Sequence, residues 1–261
     1  MELLDPTEVR RFKFIGCEII HREACFLAAT TPHLVDLHFL EKGLHDLQTS
    51  DMRTRIQEVI DDVPADKGYE AILLGYGRCN NGLVDVEARD LPLVIPRAHD
   101  CITFFFGARA EYQRWFEQHP GTYYMTTGWG ERNSASGDPL VKQTGVMAAL
   151  GLSDSYEEMV EKYGQDNADY VLSTLGDWRD HYTNMLYLEM GVTDETALRE
   201  RARKTAEEQG WSFAVHKGNL KLLERLFLGL WDEDFAVVEP GHRLAASDDD
   251  QVVQSVPVPT S

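Results

Sequence analysis

The stretch LPLVIPRAHDCITFFF, Leu91–Phe106, decides the fold class predicted for the chain. Its apolar first half has the pattern of a buried strand, and from Ile102 onward it has the pattern of a helix start. The polar turn Arg97–Cys101 separates the two. Open α/β sheets bind ligands where a strand ends and a helix begins. We therefore predict that this turn, which carries His99 and Cys101 one residue apart, is the functional centre of the protein.

Strands and helices alternate outward from this stretch in both directions. The predicted strands are Phe12–Ile15, Leu34–Leu40, Tyr69–Leu74, Leu93–Ile95, Thr122–Thr127, Met185–Glu189, Ser212–Val215 and Phe235–Val238. The predicted helices are Glu18–Ala29, Met52–Val63, Ile102–Gln118, Ser155–Tyr182, Asp194–Gln209 and Leu220–Leu230. The alternation predicts an α/β fold with mainly parallel sheets and flanking helices, built as two similar Rossmann-like lobes.

The predicted domain organisation follows from changes in composition. Residues 12–130 form an N-terminal α/β lobe that carries the cysteines and histidine of interest, and residues 131–182 connect it to the next lobe. This connection begins with Glu131–Gly151, a segment rich in glycine and serine that is expected to be a loop or lid. Residues 183–243 form a second α/β lobe or continue the first. Residues 244–261 lack hydrophobic periodicity, which predicts a disordered tail.

Charge and composition exclude several classes of partner. The formal net charge of −19 and the sequence pI of about 4.8 would repel nucleic acids and anionic membranes over most of the surface. No basic segment followed by an apolar run opens the chain, and no apolar run reaches membrane-spanning length. We expect a cytoplasmic protein. Its four cysteines are then expected to be thiols or metal ligands rather than a disulfide framework.

Three cysteines and a histidine follow the ends of predicted strands. They are Cys17, Cys79, His99 and Cys101. Because successive parallel strands end at the same edge of a sheet, we expect these side chains to converge. Three thiols and an imidazole are the ligand set of a tetrahedral zinc site, and three thiols also suit an iron–sulfur cluster. The spacing is not that of a zinc ribbon, so the metal prediction depends on this convergence.

Two alternatives require no metal. Cys101 lies at the start of a predicted helix, after the candidate cap Asp100 and beside the candidate catalytic residue His99. Helix N-termini lower thiol pKa values, so Cys101 is a candidate nucleophile. Alternatively, the cysteines are small buried residues at a sheet edge.

Six neighbouring residues are candidate substrate contacts. They are Arg78, Arg97, Asn80, Asn81, Tyr76 and Trp129. The two arginines have the charge and shape to clamp a carboxylate or phosphate, and the two asparagines offer amide hydrogen bonds. The two aromatic residues lie beside glycines at strand ends, where they would form an apolar or cation-binding wall. These contacts fit a small-molecule substrate.

Longer motifs identify a resemblance. The chain resembles the bacterial and archaeal family known as domain of unknown function 1638. The similar segments are Ile72–Gly82, Pro92–Thr103, Pro120–Tyr124, Thr127–Trp129 and Trp231–Gly241. The resemblance extends from Phe12 to about His242.

The resemblance implies a metabolic setting. Members of the family tend to accompany corrinoid proteins and methyltransferases, which implies one-carbon or methyl-transfer metabolism with such a protein as partner. The pattern His99-x-Cys101 also resembles the zinc motif of enzymes that transfer methyl groups to or from thiols. A metal-dependent methyltransferase or its accessory is the leading hypothesis. A non-catalytic module that binds or delivers a cofactor, metal or corrinoid is the main alternative.

Overall fold

The computed structural model describes residues 8–42, 49–79, 81–132, 181–247 and 251–259, together with residues 160, 164, 165 and 249. Within these ranges the strands are β1 (Arg11–Cys17), β2 (Leu34–Leu40), β3 (Ala71–Gly75), β4 (Leu93–Pro96), β5 (Thr122–Met125), β6 (Asn184–Glu189), β7 (Ser212–Lys217), β8 (Phe235–Val238), β9 (His242–Ala246) and β10 (Val253–Pro257). The helices are α1 (His21–Thr30), α2 (Thr49–Asp61), α3 (Ile102–Phe106), α4 (Arg109–Gln118), α5 (Thr127–Glu131), α6 (Thr196–Gln209) and α7 (Lys221–Phe227). Short 3-10 turns span Glu18–Ile20 and Ala65–Lys67.

Five strands form the first sheet, in the order β2-β1-β3-β4-β8. β1 to β4 are parallel, and β8 joins the edge antiparallel to β4. Every residue of β3 and β4 is buried, as expected for a central parallel strand covered on both faces. This sheet positions the predicted turn Arg97–Cys101 directly after β4.

β5, β6 and β7 form a second, fully parallel sheet. Side chains from β6, including Leu186 and Leu188, pack into the same core as the first sheet. The α/β fold with mainly parallel sheets is therefore confirmed. Membership of the two sheets does not change at residues 130 and 183. β5, which precedes residue 130, belongs to the second sheet, and β8, which follows residue 183, belongs to the first.

One predicted helix and one predicted strand end earlier in the structure than the sequence pattern indicates. The predicted helix Ile102–Gln118 is two helices, because Gly107 adopts a left-handed backbone (φ 71°) that ends α3. The predicted strand Thr122–Thr127 stops at Met125, because the Thr126 hydroxyl accepts a hydrogen bond from the Trp129 N–H and starts α5.

The prediction of a disordered tail from residue 244 is wrong. β9 and β10 form an antiparallel hairpin, in which Val253 pairs with Ala246. Leu244, Val252 and Val253 are buried in the core of the first sheet. Burial of these three side chains therefore anchors the hairpin to the core, although its sequence shows no helical or strand periodicity.

Two further predictions, the loop or lid Glu131–Gly151 and the helical segment Ser155–Tyr182, fall largely outside the described residues. Among the helices that the structure describes, none is long and apolar enough to cross a membrane.

Candidate functional site

The strand order creates a crevice at one edge of the first sheet. The chain leaves β1 toward β2 on one side, whereas β3 leads to β4 on the other side. Loops that leave neighbouring strands in opposite directions open a gap between them, and open α/β sheets bind ligands at this position. The gap lies beyond Cys17, the last residue of β1, and Gly75, the last residue of β3.

A cavity of about 390 Å³ occupies this crevice. It is lined by Cys17, Glu41, Lys42, Met52, Tyr76, Cys79, His99, Asp100, Cys101, Ile102 and Trp129. The structure therefore brings together all four predicted metal ligands and the two predicted aromatic wall residues. Its volume is within the range of small-molecule sites.

A glycine allows the loops that follow β3 and β4 to touch. A Cβ at Gly77 would lie 2.7 Å from the Asp100 Cα, closer than side chains tolerate. Two backbone hydrogen bonds hold the loops together, from the Arg78 N–H to the Ala98 carbonyl (2.7 Å) and from the Cys79 N–H to the His99 carbonyl (3.0 Å). The contact places Cys79 next to the turn that carries Cys101.

Cys79 has an unusual backbone conformation. Its φ is 42°, in the left-handed region that non-glycine residues rarely adopt, and Asn81 (φ 64°) shares that region. Such backbone strain costs about 1–3 kcal/mol and is concentrated at functional sites. The loop thus holds the Cys79 thiol at a position that a relaxed turn would not provide.

The opposite wall comes from the second sheet. α5 follows β5 and packs so tightly on the turn after β1 that a Cβ at Gly128 would overlap the Ile19 carbonyl oxygen. This packing brings Trp129 to the cavity. The Lys42 ammonium lies 5.1 Å from the centre of the Trp129 ring and donates a 3.4 Å hydrogen bond to the Trp129 carbonyl.

Burial disfavours the thiolate forms of Cys79 and Cys101. It raises the pKa of Cys79 and Cys101 above the ordinary thiol value, and the neighbouring Cys17 thiol and Asp100 carboxylate raise both further. Burial likewise raises the pKa of Tyr76, to which Cys17 and Cys79 add. The expected lowering of the Cys101 pKa by a helix N-terminus is not found, because α3 has five residues and burial outweighs it.

Asp100 links the cavity to the aromatic residues behind it. Its carboxylate accepts hydrogen bonds from the Ile102 N–H (3.0 Å) and from the Tyr112 hydroxyl (3.1 Å). Asp100 was expected to be the N-cap; in the structure Cys101 holds that position, and Asp100 accepts the Ile102 N–H from one residue earlier. Burial raises the pKa of Asp100, while these hydrogen bonds oppose that effect. Tyr112 was not foreseen, since it contacts the site from α4, beyond the break at Gly107.

The donors face a shared space without closing around one point. In the part of the chain that the structure describes, no group of three or more histidine, cysteine, aspartate or glutamate side chains is arranged to hold a metal ion. Three thiols and an imidazole nevertheless line the cavity. The donor types fit a soft cation, and binding one requires these side chains to turn toward a common centre.

Arg78 and Arg97, the predicted anion clamp, lie outside the cavity. Arg97 donates hydrogen bonds to the carbonyls of Phe235, Gln251 (2.9 Å) and Val253, and Arg78 donates a 3.4 Å bond to the Ser247 carbonyl. These carbonyls belong to β8 and to the C-terminal hairpin and its turn, which the sequence did not predict. Both arginines thus hold that hairpin, and neither lines the cavity.

The remaining candidates have other positions. Asn81 shapes the turn after Cys79 and accepts a 3.0 Å hydrogen bond from the Val84 N–H at its carbonyl. Asn80 lies outside the described residues. Glu41, Lys42 and Met52 line the cavity although no sequence motif marks them. Only their positions could have indicated this role: Glu41 and Lys42 directly follow β2, and Met52 lies on α2.

Comparison with known proteins places the chain in one family. The model of the family described as "Protein of unknown function (DUF1638)" matches residues 39–227. The chain belongs to this family. The match includes the loops with Cys79, His99 and Cys101 and the wall residue Trp129, while Cys17 lies before it. No curated protein and no solved structure gave a significant match.

Proposed function

We propose that this family member binds a soft metal ion, zinc in the first place, in the crevice cavity. Cys17, Cys79 and Cys101 would supply thiolates and His99 an imidazole. One observation carries the proposal: three thiols from three separate strand ends line one cavity at the switch point of the sheet.

The electrostatics of the cavity support a cation. The Cys79 and Cys101 thiols near the Asp100 carboxylate resist ionisation, because burial disfavours the thiolate and each new negative charge would face the carboxylate and the other thiol. A soft cation reverses this preference and releases protons as the thiolates form. Zinc binding should therefore strengthen as pH rises.

The donor set determines what the bound ion can do. Three thiolates and His99 complete a tetrahedral site, whereas three thiolates alone leave one position for a substrate. His99 is exposed at the cavity rim, while Cys17 is buried, so the imidazole is the donor most easily exchanged. A bound zinc would lower the pKa of a substrate thiol. The side chains of Trp129 and Ile102, which line the cavity, would shield that substrate from water.

The biological setting is part of the proposal. Following the resemblance, we propose a cytoplasmic role in one-carbon or methyl-transfer metabolism, with a methyl-bearing substrate or a thiol as ligand and a methyltransferase or corrinoid protein as partner. The same three thiols also suit an iron–sulfur cluster, which is the second candidate. A carrier that delivers its metal to the partner is the non-enzymatic form of the proposal.

Elemental analysis of anaerobically purified protein tests these candidates directly. Zinc, iron and acid-labile sulfide would be measured per chain in the wild type and in Cys79→Ser and Cys101→Ser. Cys25→Ser is the matched control, since Cys25 lies on α1, within 4.0 Å of His21 and outside the cavity. We expect about one zinc per chain that is lost in both cavity variants and retained in the control.

The other outcomes are equally informative. Iron with sulfide that depends on Cys79 and Cys101 would replace zinc by the cluster. Absence of metal from the wild type after anaerobic zinc reconstitution would refute the metal site. Equal metal loss in Cys25→Ser would indicate unfolding or nonspecific thiol binding rather than a cavity site.

A further inference from the structure

β2 forms an edge of the first sheet. In the part of the chain that the structure describes, β2 pairs with β1 on one side and with no strand on the other. The Leu34 N–H donates to the Arg10 carbonyl (2.9 Å), and the direction of the backbone groups alternates along a strand. The N–H and C=O groups of Val35, Leu37 and Phe39 therefore point away from β1, toward the position of a further strand.

The sequence of this edge does not protect it from pairing. Natural edge strands usually carry a lysine, a proline or a bulge that prevents contact with other chains. β2 reads LVDLHFL, and its pairing with β1 is uninterrupted over all seven residues. Leu34, its first residue, is 58% exposed. An edge of this kind can bind another chain by strand addition.

The residue types of β2 are symmetric about Leu37. In an antiparallel pair of two β2 strands with Leu37 on the two-fold axis, positions equally far from Leu37 face each other. Leucine then faces leucine at positions 34 and 40, and valine faces phenylalanine at positions 35 and 39. Asp36 faces His38. Apolar pairs and a carboxylate opposite a hydrogen-bond donor stabilise antiparallel neighbours, and a two-fold interface requires such self-complementarity.

The backbone groups agree with the same register. Antiparallel strands alternate between residue pairs that exchange two hydrogen bonds and closer pairs that exchange none. Val35, Leu37 and Phe39 have outward backbone groups, so they fall at the bonding pairs and supply about six hydrogen bonds across the axis. Asp36 and His38 fall at the closer pairs, where facing side chains touch.

The side chains of Asp36 and His38 suit this contact. The two hydrogen bonds that Asp36 accepts from described residues, from Tyr69 (2.6 Å) and Arg11 (2.8 Å), both end at Oδ2, which leaves Oδ1 for a further donor. These two bonds lower the pKa of Asp36 and keep it a carboxylate. His38 is exposed, and its imidazole carries an N–H donor in either tautomer.

β7, at the edge of the second sheet, lacks this symmetry. Its outward backbone groups include those of Val215, near the middle of the strand. A two-fold axis through Val215 would set Ala214 against His216. It would also set Phe213 against Lys217. Neither pair joins two apolar side chains or a carboxylate and a donor, so the observations favour β2.

We propose that two copies of this chain associate through β2, so that their first sheets form one continuous sheet across a two-fold axis at Leu37. The partner's Leu40 then covers the exposed Leu34. Glu41 and Lys42, which directly follow Leu40, line the cavity. The interface therefore fixes the strand end from which one cavity wall begins, and it forms whether or not the cavity binds a metal.

Sedimentation velocity of the full-length protein, in a buffer with a metal chelator, measures the dissociation constant of the dimer. Leu37→Pro removes the N–H at the axis, and an edge strand tolerates proline where the N–H faces outward. His38→Glu sets a second carboxylate against Asp36, whereas His38→Lys keeps a donor there. Val215→Pro is the matched control, because it makes the same change on β7. Circular dichroism checks that each variant is folded.

We expect the wild type to sediment as a dimer. Leu37→Pro should weaken association by at least about 10-fold, because each dimer loses two backbone hydrogen bonds. His38→Glu should weaken it by at least about 5-fold, because two favourable pairs become repulsive, and His38→Lys should change it by less than about 2-fold. Val215→Pro should dimerise as the wild type does.

Three results would overturn the proposal. One is a wild type that stays monomeric at about 100 μM, a concentration that saturates a micromolar dissociation constant. Another is equal affinity in His38→Glu and His38→Lys, which would contradict the register. The third is dissociation by Val215→Pro but not by Leu37→Pro, which would assign the interface to β7. Because His38 is exposed, its two variants decide the matter even if Leu37→Pro fails to fold.

Discussion

Gly77 and Asp100 touch through their backbones, and this contact joins the two loops that carry Cys79 and Cys101. A Cβ on Gly77 would meet three backbone atoms of Asp100 at 2.7–2.8 Å. Backbone atoms cannot rotate aside as a flexible side chain can. The distance between the two cysteine-bearing loops is therefore set by the absence of a side chain at one residue.

Gly77→Ala should push these loops apart. We expect a loss of about 1–3 kcal/mol in the free energy of unfolding, because the added methyl group overpacks a rigid contact. Metal affinity should fall as Cys79 moves away from Cys101. Denaturant unfolding and competitive zinc titration measure the two effects.

Gly130→Ala is the matched control for this substitution. Its Cβ would meet the tip of Leu198 at 2.9 Å, a side chain that can rotate away. The control should cost less stability and leave zinc affinity unchanged. Equal losses in both variants would show that the Gly77 contact has no special role in holding the cysteines.

Thr126→Ala should loosen the wall that presents Trp129. The Thr126 hydroxyl accepts a 3.2 Å hydrogen bond from the Trp129 N–H at the start of α5. Loss of such a cap costs about 0.5–2 kcal/mol. Thr54→Ala is the control, since the exposed Thr54 hydroxyl only bonds within α2 and its loss should cost under about 0.5 kcal/mol. Urea unfolding of both variants provides the comparison, and similar midpoints would contradict the capping role.

Arg97→Ala separates a structural role from the predicted anion clamp. The guanidinium binds backbone carbonyls of β8 and the C-terminal hairpin, so its removal should destabilise the protein by about 1–3 kcal/mol and expose the hairpin to proteases. Zinc content should not change. Arg89→Ala removes surface ion pairs with Asp61 and Glu87 and should cost under about 1 kcal/mol. If Arg97→Ala lost ligand binding without losing stability, the result would support the predicted role of Arg97 in binding an anion.

Much of the site follows from rules that act along the sequence. Cys17, Cys79 and Cys101 each follow an apolar strand, and parallel strands must end at a common edge, so their convergence is predictable from pattern alone. The glycines around Tyr76 likewise signal a close backbone approach. These features depend on local periodicity and on one topological rule.

Other parts depend on contacts between distant segments. The hairpin β9–β10 is held by burial of Val252 and Val253 and by Arg97, and neither is visible in its own composition. Met52 and Lys42 reach the cavity only because α2 and the end of β2 pack beside it. Two of the three carbonyls that Arg97 binds, those of Gln251 and Val253, could not be foreseen as its partners because they belong to a segment expected to be disordered.

Glu23 is a buried carboxylate that should make stability depend on pH. It lies on α1 with no exposed surface, and one oxygen accepts a 3.3 Å hydrogen bond from the Thr127 hydroxyl of α5. Burial, with smaller contributions from Glu195 and Glu131, raises the pKa of Glu23 from 4.5 to about 7. The folded protein therefore holds a proton on Glu23 at pH values where the unfolded chain has released it.

The sign of the effect follows from this difference. Below pH 4.5 both states are protonated, between pH 4.5 and about 7 only the folded state is, and above about 7 neither is. Stability contributed by the bound proton is thus complete at the acid end and is lost as pH rises through this window, by about 3 kcal/mol in total. Glu23→Gln keeps the acceptor for Thr127 and cannot ionise.

We therefore expect the Glu23→Gln variant to gain stability relative to the wild type by about 2–3 kcal/mol between pH 5 and pH 8. Urea unfolding at each pH gives the free energy of unfolding of both proteins. The difference between variant and wild type at pH 8, minus that difference at pH 5, cancels the titration of groups common to both. Glu58→Gln, at an exposed position on α2, should show no such change. Parallel pH profiles for the Glu23→Gln variant and the wild type would mean that Glu23 ionises normally in the folded protein, and that α1 and α5 tolerate a charge between them.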